Sequence, residues 1–137
     1  KLDTHCKVIS GVLDDPYTGK TINFTKGKNS DKVQIDHVVA LSNSWQTGAQ
    51  LLPLEERIRL ANDPLNLLAV DGPANQQKGD ADAATWLPSN KSYRCAYVAR
   101  QIAVKKVYHL WVTQSEKTAM ERILNSCPNQ TLIIENQ

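Results

Sequence analysis

VQIDHVVALS (33–42) and DPLNLLAVDGPANQQKG (63–79) carry the pattern on which the fold turns. Val33 to Val39 is rich in β-branched residues and reads as a strand. Alternation puts Val33, Ile35 and His37 on one face, and Gln34 and Asp36 on the other. Leu65 to Val70 is a short apolar run and reads as a second, buried strand that includes Asn66. Asp71-Gly72 reads as a turn. Pro73 then opens a helix carrying Ala74, Asn75 and Lys78, and Gly79 is its C-cap. Between the strands, Ser42 to Ala49 starts a short helix. Pro53, Leu54, Ile58 and Leu60 mark another, which runs to about Ala61 and stops at Asn62-Asp63-Pro64.

Upstream, Cys6 to Leu13 reads as a strand, Asp14 to Gly19 as a turn, and Thr21 to Thr25 as the returning strand of a hairpin. Lys26 to Lys32 is a polar loop. Downstream, Tyr93, Tyr97, Val98, Ile102, Val104 and Val107 fit one face of a helix over about 92–108. A second helix starts at Thr113 or Ser115 and runs to about Leu124; Ser115 with Thr118 does not complete a capping box. Thr131 to Ile134 can add an edge strand. The fold class is α+β, with an N-terminal β-hairpin and a C-terminal antiparallel helical hairpin turning about Trp111.

At 137 residues the chain is about one domain long, so 1–137 is read as a single domain. Apolar residues make up 41% and charged residues 22%, which argues against disorder, collagen and coiled coil. No apolar run approaches the roughly 18 residues that a membrane-spanning helix needs, so no membrane association is expected. The net charge of +2 is unevenly spread: residues 1–90 hold 9 basic and 11 acidic side chains, residues 91–137 hold 7 and 3. That asymmetry fits either scattered solvated charges or a basic C-terminal face for a polyanion.

Cys6, Cys95 and Cys127 contain no closely spaced pair, which excludes a zinc ribbon. Cys95 lies 16 residues before Trp111 and Cys127 lies 16 after it. An antiparallel hairpin sets such positions side by side, so a Cys95–Cys127 disulfide is expected; the alternative is that both are small buried apolar side chains. A bridge would indicate an oxidising compartment. The chain begins with Lys, and is read as processed or trimmed, with a signal peptide removed.

Asp36, His37, Asn66, Asn75 and Lys78 together answer a chemical need. Phosphodiester cleavage requires an activated water and neutralisation of charge on the leaving oxygen. An imidazole titrating near neutral pH can take the water's proton, which suits His37. A divalent ion can clamp the phosphate, and Asp36 and Asn75 offer hard oxygen ligands for Mg²⁺ or Mn²⁺. Neighbouring strand residues face opposite ways, so Asp36 and His37 cooperate only if the strand breaks at His37. Asn66 can then bond across the following loop and hold His37 in orientation. Lys78, Arg57, Arg94 and Arg100, with Lys105 and Lys106, are candidate phosphate contacts. Asp15 and Tyr17 read as turn-formers, with approach to the cleft as the second reading. Trp45, Trp86 and Trp111 read as core or lid anchors, and His5 and His109 as surface and packing residues.

IDHVVALS, the nine-residue step from Asn66 to Asn75, and the closing Asn-x-x-Lys-Gly resemble the HNH endonucleases, the ββα-metal or His-Me finger group. DPYTG (15–19), DAATWLP (82–88), RCAYVARQ (94–101) and LWVT (110–113) extend the likeness over about residues 6–127, to bacterial secreted HNH proteins related to the GmrSD-type HNH domain. The resemblance implies a ββα-metal core over about 33–79, with His37 as general base and Asn66 fixing its loop. It implies one divalent ion on Asp36 and Asn75, and Asn75 stands where the family often has His. The activity implied is metal-dependent cutting of DNA rather than RNA, with little sequence specificity, by a secreted or cell-surface monomer. A nucleic-acid-binding or protein-interaction module that keeps the scaffold without turnover is the rival. A thiol enzyme pairing Cys6 with His5 is a poor third, because adjacent residues rarely position nucleophile and base together.

Overall fold

The computed structural model describes residues 10–27 and 30–131. Strands β1 (Ser10–Asp14) and β2 (Thr21–Thr25) pair antiparallel, Ser10 opposite Thr25 and Asp14 opposite Thr21. Asp15 builds the turn between them. Its carboxylate accepts from Thr18 N (2.8 Å), Thr18 Oγ1 (2.5 Å) and Tyr17 N (3.2 Å), and Gly19 takes a φ of 77°. The same carboxylate accepts from Asp71 N at 2.9 Å, which ties this turn to the other sheet. The expected strand start at Cys6, His5, and the expected tail strand beyond Thr131 lie outside the described residues.

Strand β3 (Val33–His37) pairs antiparallel with β4 (Leu67–Asp71), Val33 opposite Asp71 and His37 opposite Leu67. The connection holds helix α1 (Leu41–Gln46), a 3-10 turn at Ala49–Leu51, helix α2 (Leu54–Asn62) and a 3-10 turn at Pro64–Asn66. Asn66 was expected on the second strand, but it closes that turn. Asp63 captures Leu65 N at 2.9 Å and Pro64 has no N–H, so ladder pairing waits until Leu67. Nor does a turn separate β4 from helix α3 (Gly72–Lys78). Asp71 ends the strand and caps the helix, accepting from Ala74 N at 2.9 Å. Gly72 is required there, because a Cβ would lie 1.9 Å from the Asp31 carbonyl oxygen.

Helices α4 (Arg94–Val107) and α5 (Gln114–Asn125) form the C-terminal hairpin. Thr113 is the cap of α5: its hydroxyl takes Glu116 N and the Glu116 carboxylate takes Thr113 N, a complete capping box. Both core clusters rest on α4. Tyr97 and Val98 join Tyr17, Val38, Val70 and Met120; Ala103 and Val104 join Val39, Leu60, Leu65 and Tyr108. Val38 and Val39, directly after His37, are therefore buried on opposite sides of the chain.

Lys105 was expected on a phosphate-facing surface. It is buried, donating to Glu116 Oε2 (3.2 Å), the Trp111 carbonyl (2.9 Å) and Thr47 Oγ1 (3.3 Å). Of the three tryptophans, Trp86 packs against the core, edge-on to Tyr17 at 5.0 Å. Trp45 and Trp111 remain 48% exposed. Trp45 lies under the Arg57 guanidinium, and Trp111 covers Gly48 so closely that a Cβ there would meet its ring at 2.9 Å.

Cys95 and Cys127 form the expected disulfide, with Cα atoms 6.4 Å apart and a sequence separation of 32. By loop entropy, a bridge of that span stabilises by about 3–4 kcal/mol. The Cys95→Ser/Cys127→Ser variant is expected to unfold at a correspondingly lower denaturant midpoint, with a slope no smaller than wild type because the unbridged unfolded chain exposes more surface. An unchanged midpoint would show that the helical hairpin holds without the bridge.

Candidate active site

Strand alternation and helix periodicity match across β3 and α3. Gln34 and Asp36, two apart on the strand, face Asn75 and Lys78, three apart on the helix. Asn75 Nδ2 donates to Gln34 Oε1 at 2.9 Å. Lys78 Nζ stands 3.1 Å from each Asp36 oxygen and donates also to the His37 carbonyl at 3.0 Å. The Tyr17 hydroxyl donates to Asp36 Oδ2. Asp36 is 6% exposed and the Lys78 side chain is fully buried. The carboxylate thus meets two donors inside the protein, one of them a cation.

Burial pulls the Lys78 ammonium below the ordinary lysine range, opposed by the attraction of Asp36. Burial also drives the Tyr17 hydroxyl far above the ordinary tyrosine value, reinforced by Tyr97 and by Asp36, so Tyr17 stays a donor. The same cause raises Tyr93, Tyr97 and Tyr108, which completes the chain's four tyrosines. A raised folded value means stability fully present below the unfolded-state value of about 10 and lost as pH climbs above it. Ultraviolet titration should therefore show less phenolate in the folded protein at pH 10 than in the unfolded chain. Ionisation should come with unfolding at higher pH; a tyrosine that titrates at its ordinary value before the fold melts would contradict this.

His37 ends β3 with its ring half-buried, turned from the face that carries Asp36 by the alternation of the strand. Its Nε2 lies 2.8 Å from the carbonyl oxygen of Ala61, in the last turn of α2. A carbonyl can only accept, so Nε2 carries a proton and, in the neutral ring, Nδ1 holds the lone pair. Asn66 is fully buried and clamps the two residues that follow. Its side chain accepts from Val39 N (2.8 Å) and donates to the Val39 carbonyl (3.2 Å), and its own carbonyl accepts from Val38 N (2.9 Å). The expected staple across the loop is present in this form.

The expected convergence of Asp36, His37 and Asn75 on one ion is not what the fold assembles. Asp36 faces Lys78 and Tyr17, Asn75 faces Gln34, and the His37 ring binds α2. Among the described residues no group of three or more His, Cys, Asp or Glu side chains is placed to hold a metal ion. As folded, the residues do not fit a resident Mg²⁺ or Mn²⁺, because both Asp36 oxygens are held by an ammonium.

Lys78, expected at a phosphate, is interior for the same reason. Arg94 Nε donates to the Pro88 carbonyl (2.7 Å). Arg100 donates to the Leu65 (2.9 Å) and Pro64 (3.1 Å) carbonyls, bracing the turn that carries Asn66. Arg57 stacks over Trp45 at 5.4 Å, one helical turn before Ala61. One participant escaped sequence reasoning. Ala61 acts through its backbone and leaves no side-chain signal. Tyr17 both forms the DPYTG turn and reaches Asp36, which joins the two readings the sequence allowed.

Residues 1–123 match the family model described as GmrSD restriction endonucleases, C-terminal domain. A protein of Arthroderma benhamiae described as an uncharacterized secreted protein is 42% identical over 129 residues. The match covers 93% of this chain and 61% of that protein, so the chain spans about three-fifths of its curated relative's length. That relative is fungal, where the motif resemblance pointed to bacterial proteins. No solved structure matches the chain.

Proposed function

Because the chain belongs to the GmrSD restriction endonuclease C-terminal domain family, we propose that it is an endonuclease hydrolysing phosphodiester bonds, in DNA rather than RNA, with little sequence specificity. The observation that carries this reading is the His37 Nε2 contact to the Ala61 carbonyl. It fixes the tautomer that leaves Nδ1 basic, at a strand end held rigid by Asn66. In the proposed step Nδ1 takes a proton from water, the resulting hydroxide attacks phosphorus, and the 3′ oxygen departs, leaving a 5′ phosphate. The order β3, β4, α3, with Asp36-His37 ending the first strand and Asn75 and Lys78 on the helix, supports the HNH reading.

The Cys95–Cys127 bridge and the secreted relative support an extracellular setting. No helix among the described residues is long and apolar enough to cross a membrane. A non-catalytic nucleic-acid-binding or protein-interaction module is the second reading, favoured by the closed Asp36–Lys78 pair. Plasmid DNA incubated with Mg²⁺ or Mn²⁺, with and without EDTA, separates the two. Nicking by wild type and none by His37→Ala supports the nuclease. Retarded but intact plasmid under every condition supports the module.

A further inference from the structure

We propose that Trp45 and Arg57 form a subsite for one unpaired nucleotide of the substrate strand, the indole stacking its base and the guanidinium taking its phosphate. The inference rests on the nuclease reading for its place beside the cut, not for its binding. It makes single-stranded DNA the preferred substrate.

Three observations carry it. First, of the three arginines read as phosphate contacts, Arg94 and Arg100 are spent on backbone carbonyls, and Arg57 is not. Among the described residues no carboxylate pairs with Arg57, and its Nε is buried without a hydrogen-bond partner. Held over the indole, its planar fork is pre-organised for a phosphate. Second, Trp45 keeps nearly half its surface open although the guanidinium lies over its ring. Trp111 is as open, but among the described residues no cation stacks on it; Arg59 lies over the buried Tyr108 and pairs with Glu56. The Trp45–Arg57 pair thus joins an open ring to an uncommitted cation, the two halves of what a nucleotide asks for. Third, the pair lies beside the imidazole. Arg57 and Ala61, four apart on α2, share one helix face about 6 Å apart along the axis, and the Ala61 carbonyl holds His37 Nε2. A duplex hides the faces of its bases in its own stack, so an open ring engages an unpaired nucleotide. Leu54 and Ile58 on α2 are exposed too, an apolar rim that a second copy of the chain would cover. Such a contact would bury the Arg57 charge without an anion, which favours the nucleotide.

Binding of a short single-stranded oligothymidylate to the full chain in EDTA, followed by tryptophan fluorescence, tests this. Wild type should be quenched as the strand binds, and should bind a duplex of the same length more weakly. Trp45→Leu is expected to lose most of the quenching and about tenfold in affinity, the scale of one base stacked on an aromatic ring, while Trp45→Phe keeps most of the affinity. Arg57→Ala should bind more weakly too, with a salt slope smaller by about 1. Equal affinity in wild type and Trp45→Leu, or a duplex bound as tightly as the single strand, overturns the proposal. So does a dimer in sedimentation that Trp45→Leu abolishes, which would give this face to a second copy. Should Trp45→Leu fail to fold, Trp45→Phe and Arg57→Ala decide: an Arg57→Ala affinity and salt slope equal to wild type, or a Trp45→Phe affinity as low as that of Arg57→Ala, overturns it. Oligothymidylate that quenches Trp45 yet stays uncut with Mg²⁺ or Mn²⁺ would remove the nuclease reading alone. Cleavage of single strands with an unchanged KM in Trp45→Leu would remove the subsite alone.

Discussion

His37→Ala is expected to slow plasmid nicking by about 10²–10⁴-fold, the usual contribution of a positioned general base. The fold should survive it. The ring is half-buried and its hydrogen bond to the Ala61 carbonyl, at 2.8 Å, is worth about 1 kcal/mol, a few degrees of melting temperature at this chain length. His37→Gln sharpens the test. A glutamine amide can still donate towards Ala61, but no atom in it takes a proton near neutral pH. Its stability should approach that of wild type while its activity matches His37→Ala. If His37→Gln nicks plasmid at the wild-type rate, the base lies elsewhere and the Ala61 contact is structural only.

Asn66→Ala carries the second large effect, on stability and rate together. Asn66 is fully buried, and its amide satisfies both the N–H and the carbonyl of Val39, itself 1% exposed. Truncation leaves two buried backbone groups without partners, each costing about 1–3 kcal/mol, so a loss of about 2–4 kcal/mol is expected by denaturant unfolding. A purely structural residue would do no more than that. The clamp acts on the residues directly after His37, so kcat should also fall about tenfold or more at temperatures where the variant stays folded, with KM little changed. Wild-type kcat in the folded variant would confine Asn66 to stability. Arg100, which braces the same turn through the Pro64 and Leu65 carbonyls, should show a weaker form of both effects.

Local chemistry was legible where it outweighed everything else. β2 occupies the residues expected to return after the Asp14–Gly19 turn, α3 starts beside Pro73 and ends before Gly79, and the Cys95–Cys127 bridge follows from symmetric placement about Trp111. Less visible was the Thr113–Glu116 capping box, which the sequence contains in full two residues before the incomplete Ser115–Thr118 pair.

What resisted was the choice of partners. Asp36 reads equally well as a metal ligand or as the counter-ion of a lysine, because residue type and spacing are the same in both. Lys78 lies 42 residues from Asp36 and Tyr17 lies 19 away, distances over which a pattern of residue types carries no geometry. Trp45 and Trp111 show the same limit, for a large aromatic ring reads as core until packing leaves it half outside.

The amino-acid order by itself determined which segments become strands and helices, that Asp36 and His37 face opposite ways, and which cysteines meet. These follow from backbone sterics, side-chain period and caps a few residues away. Only the tertiary structure decided that Lys78 fills the space beside Asp36 and that the Ala61 carbonyl aims the imidazole. Each depends on how distant elements settle against one another as apolar surface is buried and every interior charge finds a partner.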